Sequence, residues 1–234
     1  VLTGQSSVQA DTDPVYEALE KATALYQDVL KKTPSVTAYL ESRGIMKETI
    51  DSFRIGYAPD EWRTIESTAH TDGERAVLLR AGLTKKTENK VYDRFRKRIT
   101  FPLSDSSGRV IGFSGRSFPP EEGSPKYLNS PETEVFQKSK TLFGFDKAKF
   151  HIKKHNFAIL VEGQMDLVIS HQAGFKNTVA SSGTAVSEDA ALDPFSNLSI
   201  LSRLTTNLFL AFDGDTAGQK AMDRAALVAL SLGM

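Results

Sequence analysis

The sequence predicts a two-part molecule, mixed α+β in its first half and α/β in its second, and three observations carry that prediction. Beyond residue 145, apolar runs suited to strands alternate with helical patterns: strand 157–161, helix 165–173, strand 177–180, a helix from 187, strand 207–212 and helix 216–232. That alternation predicts a small parallel sheet with right-handed crossovers. Before residue 145, several short helices give way to a β-hairpin, the pattern of a mixed helix-strand subdomain. Finally, two of the later strands end in carboxylates and a glycine, as Glu162-Gly163-Gln164-Met165-Asp166 and as Asp213-Gly214-Asp215.

The elements follow in order. Residues 1–13 are polar and read as a flexible arm. Asp13-Pro14 suits an N-cap with proline at the first helical position. Val15, Leu19, Ala22, Tyr26 and Val29 then recur at helical spacing to about residue 32. Pro34 interrupts, and a second helix over 35–43 is closed by Gly44. A third helix, 47–53, leads into an extended stretch at 55–59, and a fourth, 74–81, stops at Gly82. Residues 98–103 and 110–114 form the hairpin around Asp105-Ser106-Ser107-Gly108, and the Gly-, Pro- and Glu-rich stretch 119–125 reads as a mobile loop. The boundary between the two parts falls within 145–155, giving domains 14–148 and 149–234.

Composition narrows the class. The 234 residues, 40% hydrophobic, suffice for two modest domains, and the absence of cysteine excludes disulfides and thiolate metal sites. No apolar run approaches the roughly 20 residues of a membrane span, and the N-terminus lacks a signal-peptide profile, so a cytoplasmic protein without membrane contact is expected. The net charge of +0 conceals segregation. Between Lys85 and Arg98 stand Lys85, Lys86, Lys90, Arg94, Arg96, Lys97 and Arg98 against only Glu88 and Asp93.

The acidic clusters carry the chemistry. Strand ends in an open α/β sheet share one edge, where ligands bind. Carboxylates crowded there repel by roughly 4 kcal/mol per pair at ~4 Å and an effective dielectric of ~20. A divalent cation relieves this, and all-oxygen ligands favour Mg²⁺ or Mn²⁺ over zinc. Phosphoryl transfer needs such ions against the charge developing on its oxygens. Glu162, Asp213 and Asp215 are the expected ligands, with Asp166 reaching in from the first turn of the following helix. Other readings stay open: alone, Glu162-Gly163-x-x-Asp166 suits a turn plus helix cap, Asp213-Gly214-Asp215 suits a turn or a calcium loop, and Asp215 suits the cap of the helix from Thr216.

With those clusters in view, the chain resembles a known family. Glu162-Gly163-x-x-Asp166 with Asp213-Gly214-Asp215 resembles the Toprim domain of DnaG-type primases, type IA and II topoisomerases, certain nucleases and recombination proteins. Upstream, Tyr39-Leu40-Glu41-Ser42-Arg43-Gly44, Ile55-Gly56-Tyr57-Ala58-Pro59, Tyr92-Asp93-Arg94-Phe95-Arg96, the segment from Gly108 to Arg116 and Lys126-Tyr127-Leu128-Asn129-Ser130-Pro131 occur in one order. Together they are similar to the catalytic core of bacterial replicative primases, from about Pro14 to the end.

That resemblance implies an enzyme making short RNA primers on single-stranded DNA from ribonucleoside triphosphates, with Mg²⁺ or Mn²⁺ held by Glu162, Asp213 and Asp215 and supported by Asp166. It implies a basic ridge of Arg43, Arg94, Arg96, Arg116, Lys126 and Lys138, with Tyr127 and Asn129. It also implies a zinc ribbon upstream and a helicase-binding domain downstream, neither within this chain, and a further acidic pair beyond Met234. On that pattern the Toprim part is truncated, and weak metal binding and poor polymerisation are expected. The stretch 191–199 looks like an insertion without an assigned role. A Toprim nuclease or topoisomerase, or a non-catalytic binding module, remains the rival; Arg-Phe-Arg and Lys-Tyr-Leu-Asn-Ser favour the primase.

The basic half also reads physically. Lys126 to Ser130 offers an ammonium, a stacking ring and an amide in one extended stretch, groups that template and nucleotide both need. Alternation predicts Lys126 and Leu128 on one face, Tyr127 and Asn129 on the other. It likewise predicts Arg94 and Arg96 on one strand face with Phe95 in the core. Trp62 reads as a packing residue, His151 and His155 as a solvated basic helix face, and Ser181-Ser182-Gly183-Thr184 as either a phosphate loop or a plain one.

Overall fold

The computed structural model describes residues 11–88, 90–181 and 196–234. Residues 1–10 of the expected arm, the Ser182 to Thr184 loop, the helix start at 187 and residues 191–195 of the insertion lie outside the described residues.

Helix α1 (Asp13–Lys31) starts one residue earlier than a cap at Asp13 requires: Thr12 is the N-cap, Asp13 already lies in the first turn, and Pro14 fits there because its missing N–H has no partner to lose. Its inward stripe is Val15, Leu19, Ala22, Tyr26 and Leu30, all buried, with Leu30 rather than Val29 completing the face. Burying each large side chain contributes about 1.5–3 kcal/mol. Then come α2 (Pro34–Ser42), α3 (Lys47–Ser52), β1 (Gly56–Ala58) and α4 (Asp72–Arg80). The last begins two residues before the predicted start, because Thr71 and Glu74 form a reciprocal capping box.

A two-stranded ribbon, β2 (Thr84–Lys86) with β3 (Val91–Asp93), precedes the main antiparallel sheet. That sheet has the order β1-β4-β5-β6, with β4 at Arg98–Ser104, β5 at Val110–Ser117 and β6 at Tyr127–Asn129. The predicted hairpin is β4–β5, and Asp105 closes its turn by accepting the Ser107 and Arg109 N–H groups. Tyr26 of α1 meets Phe113 of β5 edge-on at 5.6 Å, which fixes the helix across the sheet. Arg94 to Lys97 is not a strand, contrary to the alternation argument: Lys97 has φ 50°, and the chain turns there from β3 into β4. Phe95 is buried as expected.

The second half is α5 (Phe145–His155), β7 (Ala158–Val161), α6 (Gln164–Gln172), β8 (Thr178–Ala180), α7 (Asn197–Ser202), β9 (Leu208–Ala211) and α8 (Thr216–Ser231). Its three strands are parallel in the order β8-β7-β9. One apolar cluster spans both halves, joining Phe53, Phe101 and Phe136 to Phe143, Val161, Met165 and Leu167. Phe143 also bridges Ala180 through backbone hydrogen bonds of 3.0 and 3.1 Å. The two halves therefore meet through a shared core. Among the described residues, no helix is long and apolar enough to cross a membrane.

Candidate active site

Register brings the two acidic clusters together. Val161 of β7 pairs with Ala211 of β9, so Glu162 and Asp213 leave the same edge of the sheet from adjacent strands. Asp166, in the first turn of α6, folds its carboxylate back over Gly163; a Cβ at that position would sit 2.7 Å from Asp166 Oδ2. Gly218 is required for a similar reason, since a Cβ there would run into the Asp213 carbonyl. Asp215 is differently engaged: it is the N-cap of α8, and its Oδ1 accepts the Gly218 N–H at 2.8 Å.

Glu162, Asp166 and Asp213 form one wall of a cleft of ≈ 310 Å³ whose other wall is Arg43, Arg116, Lys126 and Tyr127. Burial raises the Glu162 pKa above the ordinary glutamate range, and the charges of Asp213, Asp215 and Asp166 push it further in that direction. Its Oε2 is buried and has no hydrogen-bond partner. Opposite, Arg116 Nη1 donates to the Tyr127 hydroxyl at 2.9 Å. Burial alone would lower the Arg116 pKa; the bond to Tyr127 and the nearby Tyr39 outweigh it, leaving the pKa raised. Burial pushes the Tyr127 phenol up, so it remains protonated and able to hold that geometry.

Of the residues expected from sequence, these seven converge. The rest do not line the cleft. Arg94 donates through Nε and Nη2 to the Asn129 carbonyl (3.2 and 2.9 Å), and burial lowers its pKa. Arg96 donates to the Asp93 carbonyl at 2.8 Å and stacks its guanidinium 3.9 Å from the ring centre of Trp62. Lys138 sits in a short 3₁₀ turn, its backbone N–H bonded to Glu132. Trp62 corrects the sequence reading: it is 59% exposed, with Tyr92 at 5.3 Å beside it. The signal was present in Asp60-Glu61-Trp62-Arg63-Thr64, a stretch with no apolar neighbour to help bury an indole. A larger cleft of ≈ 550 Å³ between α1 and α4 contains none of these groups.

Do the acidic residues fit a metal ion? Among the described residues, no three carboxylate or imidazole side chains already enclose a position for one. The donor set is nevertheless all oxygen, Glu162 keeps a buried oxygen without a partner, and neighbouring charges disfavour its ionised form. A hard divalent cation answers each of these conditions, so the residues fit.

Comparison with known proteins agrees. Residues 25–149 match the DNA primase catalytic core, N-terminal domain, and residues 156–234 match the Toprim domain. The DNA primase of Aquifex aeolicus is 38% identical over 222 residues, covering 95% of this chain and 43% of the relative. That of Rickettsia conorii is 42% identical over 230 residues, covering 97% of this chain and 37% of the relative. The crystal structure of the Aquifex aeolicus primase zinc-binding and RNA polymerase domains superposes with a TM-score of 0.84 at 36% identity, covering 94% of this chain and 53% of that one. A DnaG primase catalytic domain bound to single-stranded DNA gives 0.80 at 37%, covering 93% and 66%. The chain spans about two fifths of the length of these curated relatives. By the domain matches and the site geometry together, it belongs to the DNA primase family and carries the N-terminal and Toprim domains of that family's catalytic core.

Proposed function

We propose that this chain forms the nucleotidyl-transfer site of a primase, a DNA-templated RNA polymerase that lays short RNA primers on single-stranded DNA during replication. The observation that carries the reading is the cleft itself, with Glu162, Asp166 and Asp213 on one wall and Arg43, Arg116, Lys126 and Tyr127 on the other. A nucleoside triphosphate is the ligand class that needs both walls.

In the reaction, the 3′-hydroxyl of the growing primer attacks the α-phosphorus of a ribonucleoside triphosphate, and pyrophosphate leaves. Mg²⁺ or Mn²⁺, when bound by Glu162 and Asp213 with Asp166 in support, supplies neutralisation of the charge that develops on the phosphoryl oxygens. Asp215 orients the Asp213 backbone by capping α8. Arg116 and Lys126 hold phosphate oxygens, Arg116 being fixed by its bond to Tyr127. Arg43 closes the cleft from the end of α2.

Outside the cleft, Arg96 stacked on Trp62 offers a charged and aromatic surface suited to an unpaired template base and its phosphate. Arg94, Asn129 and Lys138 extend the basic side. Without cysteine the chain offers zinc no thiolate site, and a replicative helicase would be met through parts of the relatives that this chain does not span. The setting is the bacterial cytoplasm.

The test is primer synthesis from ribonucleotides on single-stranded DNA by the full-length protein. Asp213→Ala or Glu162→Ala should lower turnover by orders of magnitude with template affinity largely kept. Cleavage or relaxation of DNA without synthesis would replace the reading with a Toprim nuclease or topoisomerase; equal loss of template affinity would make the carboxylates structural.

A further inference from the structure

We propose that Gln164 and Gln172, one at each end of α6, are positioning residues that set the spacing between the carboxylate wall and the cationic wall of the cleft; the inference rests on the function proposed above and deepens it. Helix α6 has 9 residues, a length of roughly 13 Å at ~1.5 Å per residue. Its first turn carries Asp166, and Glu162 precedes it directly at the end of β7, the strand paired with the β9 that leads to Asp213, so the acidic wall shifts as one body with this helix.

Gln164 is 1% exposed, and its Nε2 donates to the Oγ of Ser114, which is 0% exposed, at 2.6 Å. Ser114 lies on β5 two residues before Arg116. Residues two apart share a strand face, about 6.8 Å from one another along it. At the other end, Gln172 uses both atoms of its amide. Its Oε1 accepts the Met46 N–H at 2.8 Å, and its Nε2 donates to the Gly44 carbonyl at 2.8 Å. Gly44 directly follows Arg43. Each glutamine thus ties the acidic helix to a segment beside one of the two arginines that line the cleft.

The apolar core between the halves resists separation, but hydrophobic contact is non-directional and does not fix register. Hydrogen bonds do, because they weaken steeply with distance and angle. A ligand touching only one wall is indifferent to that register. A metal-bound triphosphate touches both, and a displacement of about 1 Å can cost about 10²-fold in rate.

The test compares Gln164→Leu, Ser114→Ala, the double variant and Gln172→Leu with the parent protein, using three probes. Mn²⁺ alone, followed by paramagnetic resonance, reads the acidic wall. A short oligothymidylate without metal, followed by anisotropy, reads the basic side. Mn²⁺–ATP, followed by calorimetry, reads both walls together. In Gln164→Leu, the double variant and Gln172→Leu, the first two affinities should stay within about twofold, while Mn²⁺–ATP weakens about tenfold or more, the loss of about one hydrogen bond to a charged group. The double variant should regain thermal stability lost by each single one, because no buried polar partner is left alone. It should nonetheless remain weak for Mn²⁺–ATP.

Recovery of Mn²⁺–ATP affinity along with stability overturns the inference and makes the pair structural. So does parallel weakening of all three probes, or no change in any. Gln172 lies at the surface end of the helix, so its variant reports even if the buried pair is needed for folding. A parent protein that binds Mn²⁺ and the oligonucleotide but not Mn²⁺–ATP brings down the functional reading, and the inference with it.

Discussion

Asp215 has two claims on its carboxylate, and substitution separates them. As N-cap of α8 it accepts the Gly218 N–H, a bond that serine can replace. As part of the acidic cluster it contributes charge near Glu162, which serine cannot. Asp215→Ala should cost about 1 kcal/mol of stability, and Asp215→Ser only a few tenths, both read by thermal melting. If Asp215 also serves the metal, Mn²⁺ affinity falls in both variants, Ser included; if it is only a cap, Mn²⁺ affinity falls with Ala and is kept with Ser. Trp62, the chain's 1 tryptophan, gives a second handle at this scale. Its ring is covered on one face by Arg96, so Arg96→Ala should shift its emission in the free protein, and adding oligothymidylate should quench it. An unchanged spectrum on addition of saturating oligonucleotide would remove Trp62 and Arg96 from the template path. From sequence the indole read as a packing residue with no stated partner, because the arginine that stacks on it lies 34 positions further on and local pattern carries no such pairing.

The elements were legible in proportion to how local their causes are. Strands β7 and β9, each an apolar run ended by an acidic residue, and helix α6 between Gly163 and Gly174 lie within about a residue of their predicted bounds. The Arg94–Lys97 segment failed because alternation over three residues describes an extended loop as well as a strand, and only the contacts of β3 and β4 decide between them. Helix α6 carries a consequence that no periodicity announces. Near its C-terminal end His171 is buried, with Nε2 on the Thr178 carbonyl at 2.8 Å and Phe53 edge-on at 5.3 Å. Burial holds its pKa below the usual imidazole range, with Lys147 adding to the effect and the Thr178 carbonyl and Asp146 opposing it. In the unfolded chain the ring takes a proton near pH 6.5, but in the fold only at lower pH. The unfolded state therefore binds more protons in that window, and stability falls as pH drops through 6.5 towards the folded pKa. Melting temperature should decline over that range, and His171→Gln, which keeps a donor but cannot titrate there, should flatten the slope. A slope identical to that of the parent would assign the acid sensitivity elsewhere.

Across the whole molecule, a formal charge of +0 results from separation rather than uniform mixing. The parallel sheet presents carboxylates at its strand ends, and the antiparallel sheet presents Arg116 and Lys126 to them across one cleft. Residue order alone indicated both halves but not their apposition, which depends on the shared core from Phe53 to Leu167. The apposition makes the salt dependence of the cationic wall a test of where the template runs. Single-stranded DNA bound by the cationic side releases counterions, so the logarithm of its affinity should fall linearly with the logarithm of salt, by about 0.7 per phosphate contacted. Arg116→Ala and Lys126→Ala should each reduce the steepness by about 0.7, measured by anisotropy of an oligothymidylate without metal. Arg80→Ala removes a comparably charged side chain that is already paired with Glu134 at 2.8 Å, outside the cleft, and should leave the slope unchanged. Equal slopes for all four proteins would mean that the strand does not pass the cleft wall. Parallel reductions in all three variants would mean that binding follows overall charge rather than this surface. A slope reduced only in Arg116→Ala and Lys126→Ala places the backbone of the template where the acidic strand ends can reach it.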